Sequence, residues 1–179
     1  MEAHHRRSAP GSLAILSCLL MAKMLAAAPQ PDELPESLPT LHPHRLDPVV
    51  TAAVREAHRR METPECRELF RDFRDAGGRT AQENLDSIGV TGQSYLGWLW
   101  FVDGSGQIRC RDARVVAFTV PGSRVVYFCG DRFRHQLERR GLGALAVTIL
   151  HEELHTLGVG EDPPSSLEIT RRVEVRCGR

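Results

Sequence analysis

Two histidines four residues apart, with a glutamate directly after the first, are the residues best placed for chemistry: His151, Glu152 and His155, in the run Thr148 to Gly158 (TILHEELHTLG). On a helix, positions i and i+4 stack on one face, so both imidazoles can reach a single metal ion. Imidazole nitrogens in a tetrahedral arrangement suit zinc, one ion per chain. Glu152 is turned slightly round the helix, within reach of a water on that ion, and is expected to take its proton as general base. A catalytic zinc site takes three protein ligands and leaves one position for water, so a third must come from outside the pair. Two carboxylates compete for this place. Glu161 lies six residues after His155, beyond Gly158, where the chain can turn sharply back. Glu168 falls near the start of an expected last helix, which Pro163-Pro164 folds back against the first. Glu168 is the expected ligand and Glu161 the alternative, because helices position ligands better than loops. Glu161 or Asp162 would then orient a histidine from behind.

The element that must carry these groups is a helix from Leu142 to Leu157, apolar nearly all round over Leu142 to Leu150 and therefore buried. Imidazoles and carboxylates on a buried helix need partners. Upstream, Asp47-Pro48 opens a helix to about Met61 with Val50, Ala53, Val54 and Ala57 inward. Thr63-Pro64 opens a second, ending at Gly77-Gly78. Thr80 with Glu83 is a capping box for a third, and a helical turn is expected around Ser94 to Leu96. Strands are expected over Trp98–Val102, Gln107–Cys110, Val115–Val120 and Arg124–Phe128. The last two form a hairpin about Pro121-Gly122-Ser123. Arg132 to Arg139 reads as a short helix or irregular excursion. Ser165 or Ser166 caps the final helix to about Arg176. The class is α+β: N-terminal helices, a small mostly antiparallel sheet, and the buried histidine helix followed by a C-terminal helix.

The chain has 179 residues, and its 23 basic and 23 acidic side chains cancel, so no basic footprint suggests nucleic acid. Residues 1–28 run basic, then apolar, then small, the order of a secretory signal peptide. Residues 29–46 are a proline-rich linker, and 47–179 form the domain. The protein is thus expected outside the cytoplasm, secreted or periplasmic, with no stable membrane insertion once the leader is cleaved. Four cysteines remain after the leader, Cys66, Cys110, Cys129 and Cys177, which favours two disulfides with three possible connectivities.

His151 to His155 is the H-E-x-x-H pattern, and in it the chain resembles the zincin metallopeptidases. Over His151 to Thr170 (HEELHTLGVGEDPPSSLEIT) it is similar to small bacterial exported proteins with an HExxH-x-LG-x-GE-x-PP-x-S-x-EIT pattern. Asp103-Gly104, Pro121 to Val126 and Phe128 to Gly130 fit the same group, so that the likeness covers roughly residues 60–179. The resemblance implies a zincin-like fold. Glu161 stands where metzincins place a third histidine, but no methionine follows Met61 to make their methionine turn; Glu168 corresponds to the gluzincin solution, a His-His-Glu site. The implied activity is metalloendopeptidase hydrolysis of a peptide or protein substrate. Tyr127, Tyr95 and His135 are candidate oxyanion donors, and strand 124–129 would bind substrate as an added strand. The alternative is a zincin-like binding or structural exported domain without turnover.

Overall fold

The computed structural model describes residues 47–178; the expected leader and linker lie outside the described residues. Helix α1 (Pro48–Arg60) starts where the Asp47 carboxylate accepts the Val49 N–H at 2.8 Å. Its residues Val50, Ala53, Val54 and Ala57, spaced to share one face, are all buried. Helix α2 (Pro64–Arg67) is capped by Thr63 but soon tightens into a 3-10 turn over Glu68–Arg71. The second helix therefore stops well short of Gly77. There the Asp75 carboxylate draws in the N–H groups of Gly77 and Arg79 at 2.8 and 2.9 Å, a local turn that competes with continued helix. Two short helices follow, α3 (Ala81–Ser87) behind the Thr80–Glu83 capping box and α4 (Gly92–Leu96).

Three strands, β1 (Trp100–Asp103), β2 (Ala117–Thr119) and β3 (Val125–Phe128), form a sheet in the order β1-β3-β2. β3 is parallel to β1, with Trp100 opposite Val125, and antiparallel to β2, with Thr119 opposite Val126. The sheet is thus mixed, which corrects the mostly antiparallel expectation. A strand at Gln107–Cys110 does not form. The Gln107 N–H bonds to Gly104 O at 2.7 Å and the Cys110 N–H to Gln107 O at 3.1 Å, so the chain continues turning into a 3-10 segment, Ile108–Arg111. Residues 124–129 also cannot accept an added strand, because β3 is paired on both sides. The edge beside the histidine helix belongs to β2.

Helices α5 (Gly130–Arg140), α6 (Leu142–Thr156) and α7 (Ser166–Cys177) complete an α+β unit of seven α-helices and one three-stranded sheet among the described residues. α6 is its axis, touching α1, α5, α7, β2 and β3. Leu145, Ala146, Ile149, Leu150 and Leu154 are at most 1% exposed, so truncating one of these leucines to alanine is expected to cost about 2–5 kcal/mol. The far end of α7 is tied down three times. Cys177 is bonded to Cys66 across 111 residues, Arg176 forms two hydrogen bonds to Asp72 at 2.8 and 2.9 Å, and buried Arg60 donates to Cys177 O at 2.8 Å. The second disulfide joins Cys110 to Cys129, so neither of these reaches the C-terminal helix. No helix among the described residues is long and apolar enough to cross a membrane.

Candidate metal centre

α6 delivers His151 and His155 one turn apart, both buried, and their rings meet edge to face. The His155 Nδ1 lies 2.6 Å from Val159 O. A carbonyl only accepts, so Nδ1 carries the proton and the Nε2 lone pair faces away. That lone pair is 3.0 Å from His151 Nε2, while His151 Nδ1 is held by Thr170 Oγ1, also at 3.0 Å. Each ring is therefore fixed from behind by an oxygen and aims its other nitrogen at one point, the arrangement that orients metal-binding histidines.

Glu161 closes the triangle. Its Oε1 is 3.2 Å from His155 Nε2 and 3.6 Å from His151 Nε2. Tetrahedral zinc with ligands at roughly 2.0–2.1 Å requires edges of about 3.3 Å, so three edges of 3.0, 3.2 and 3.6 Å fit one such ion. Among the described residues these three form the group that can hold a metal.

The turn that brings Glu161 in is braced from outside α6. Gly158 has φ +94°, a conformation a side chain resists. Asn84 Nδ2 bonds both Leu157 O and Asp75 at 2.9 Å, and Asp75 pairs with Val159 as an isolated bridge. Glu168 has a different task. Its carboxylate accepts the Ser165 N–H at 2.8 Å and the Ser165 hydroxyl at 2.7 Å, closing a capping box on an exposed turn. The expectation that Glu168 joins the histidines is corrected: the buried face of α7 is Ile169, Val173 and Cys177, and Glu168 is off it.

Electrostatics separate the carboxyls of the cluster. Burial pushes Glu152 up to about 8, helped by the negative charge of Glu161; Arg109 and a hydrogen bond from the Thr119 N–H pull the other way. Its Oε2 is buried without a hydrogen-bond partner among the described residues. Burial also tends to raise Glu161, but a bond from the Ser166 hydroxyl and the two imidazoles outweigh it and hold that carboxyl low. Burial and then His155 push His151 down to about 4, so it is a neutral donor near neutral pH. Glu153 is fully enclosed, both oxygens without a hydrogen-bond partner among the described residues, and burial alone drives it well above the carboxylate range.

The structure thus brings His151, Glu152, His155 and Glu161 together and leaves out Glu168 and Asp162. The three oxyanion candidates are engaged elsewhere. The Tyr95 hydroxyl donates to Thr156 O at 3.4 Å, Tyr127 stacks on Phe118, and His135 stands beside Glu138 on α5. Sequence reasoning missed Thr170, Thr119, Arg109, Asp75 and Asn84. Only Thr170 carried a sequence signal: it lies one position after the buried Ile169, on the side of α7 facing α6.

No protein-family model, no curated protein and no solved structure matches this chain.

Proposed function

We propose that the chain is a zinc-dependent peptidase of the zincin kind, exported from a bacterial cell, with His151, His155 and Glu161 holding the ion. The observation that carries this reading is the convergence of two back-fixed imidazole nitrogens and a low-lying carboxylate beside a buried glutamate that has one oxygen unpartnered. When bound, zinc supplies Lewis acidity, polarising a carbonyl and acidifying a water. The protein's own part is positional and protolytic. Thr170 and the Val159 carbonyl fix the rings. Glu152, whose ionised form the charge of a bound cation would favour, takes as a carboxylate the proton of the attacking water on its free Oε2 and delivers it to the leaving amine.

The open edge of β2 lies beside this glutamate. Cys129 N–H bonds to Val116 O at 2.9 Å, so Val116 and Phe118 turn their backbone groups to β3, while Ala117 and Thr119 turn theirs outward, where the Thr119 N–H is given to Glu152 and the Ala117 groups are left for pairing. A substrate peptide pairs there as an added strand. Two disulfides accord with an oxidising compartment. The test is metal content of the purified protein together with peptide cleavage. Wild type is expected to carry about one zinc and to cleave; Glu152→Gln should keep the zinc and lose at least a hundredfold in kcat. Equal cleavage by both would defeat this mechanism, and retained zinc without cleavage in wild type would favour a binding or structural domain.

A further inference from the structure

A recess lies just before β2, a cavity of about 290 Å³ lined by Ala113 and Val116 from the chain leading into the strand and by Arg132, His135, Gln136, Arg139 and Arg140 from α5. Its lining is basic and holds no carboxylate. Two of these side chains have an acidic neighbour: Arg140 meets Glu174 at 3.2 Å and the His135 imidazole lies 3.6 Å from Glu138. Arg132 bonds to the carbonyl oxygens of Cys110 and Val115, and the Asp112 carboxylate, which feels its charge, is already paired with Arg114 at 2.9 Å. Arg139 has no partner among the described residues.

The recess continues the line of the metal centre. Gln136 Nε2 reaches Thr148 Oγ1 at 3.0 Å, and Thr148 lies one helical turn before Glu152 on α6. Thr119 at the end of β2 lies at Glu152, and Val116, which precedes β2 and still accepts the Cys129 N–H, lies at the recess. Three strand residues span about 10 Å, the reach of three residues of an extended peptide laid against the same edge.

We infer that this basic recess is a subsite for an acidic side chain of the bound peptide, about three residues to one side of the bond that is cut. The assignment rests on the peptidase reading of the metal centre. A carboxylate there meets Arg139 and is drawn also by the field of Arg132; a lysine meets like charge, which rejects it as effectively as attraction selects the acid.

Peptides of one scaffold carrying Glu, Gln or Lys at each position in turn are offered to the full chain loaded with zinc, with kcat/KM as the readout. The same peptides are offered to the Glu152→Gln variant, with binding read by fluorescence anisotropy. Glu about three residues from the cleaved bond is expected to exceed Lys by roughly tenfold, carried in KM and diminished by salt. Arg139 is exposed, so Arg139→Glu is expected to fold and to turn the preference toward Lys, while Arg139→Gln should flatten it. Preferential binding of the Glu peptide to the variant with no cleavage by wild type supports the subsite and defeats the peptidase reading. Cleavage indifferent to charge overturns the subsite and leaves the peptidase reading standing. Inorganic phosphate competing as strongly as the Glu peptide overturns the subsite in favour of a free-anion site, and peptides neither bound nor cleaved overturn both.

Discussion

The loop after α6 and the first turn of α7 each present a glutamate, seven residues apart, and use it in opposite ways. Glu161 is half exposed, yet its carboxylate is fixed against two buried imidazoles and the Ser166 hydroxyl. Glu168 sits on a regular helix, yet its carboxylate is turned back on its own N-terminus. The better-ordered backbone therefore carries the residue with the local task. What decides is the direction in which the backbone aims the side chain: the loop is bent by Gly158 and held by Asp75 and Asn84, whereas the first helical turn has unsatisfied N–H groups that claim any nearby carboxylate.

The sharpest way to break this contrast is to remove each carboxylate. Glu161→Ala is expected to lower zinc affinity by about a hundredfold or more, since a missing ligand should cost at least as much as a missing ligand-orienting group. Glu168→Ala should leave affinity unchanged. Competition with a chromophoric chelator measures both. The reverse order would return the third-ligand role to α7 and undo the assignment of the centre.

Gly158→Ala comes next. The residue has φ +94°, and an added Cβ would sit 3.2 Å from the Asp75 Cβ, so the turn must distort as well as strain. A loss of about 1–2 kcal/mol in stability is expected, with about tenfold weaker zinc binding as Val159 O and Glu161 shift together. Stability loss with unaltered affinity would show that Glu161 reaches the imidazoles without the bracing of this turn. Thr170→Val acts on a single histidine. It keeps shape and removes the oxygen behind His151 Nδ1, and about a tenfold loss of affinity is expected with the melting temperature nearly unchanged.

The parts of this arrangement that could be read in advance are those fixed by near neighbours. The apolar run from Leu142 to Leu150 specified α6, and the i, i+4 spacing brought the two imidazoles together because helical geometry alone does so. The cap of α7 was legible as well. Ser165-x-x-Glu168 has the same signature as Thr80-x-x-Glu83, and applying it to both would have occupied Glu168 before a metal could claim it. What was hidden depends on distant partners. Val125 to Phe128 reads as a hairpin arm, and nothing in its residues announces the parallel neighbour Trp100 to Asp103 that makes it the central strand. Thr119 and Arg109 reach Glu152 only once the β2 edge has docked on α6. Asp75 and Asn84 lie more than seventy residues before the turn they brace. The cysteine pairing, Cys66 with Cys177 and Cys110 with Cys129, likewise follows from the packed ends of elements far apart in the chain.

The smallest effect lies at the α7 cap and sharpens the contrast from the other side. Ser165→Ala removes the hydroxyl that serves the Glu168 N–H at 3.3 Å and the carboxylate at 2.7 Å, and a loss of about 1 kcal/mol is expected with zinc affinity intact. The cap should also be acid-labile. The Ser165 hydroxyl and N–H hold the Glu168 carboxyl below its usual range, so the folded state binds this proton less readily than the unfolded chain. Its contribution is therefore complete above the ordinary carboxylate range and disappears as the pH falls through the lowered value. Urea unfolding of wild type and Ser165→Ala, at neutral pH and at about pH 3, should show the difference between them narrowing in acid. A constant difference would mean that the hydroxyl alone makes the cap, leaving the Glu168 carboxylate without the local task that distinguishes it from Glu161.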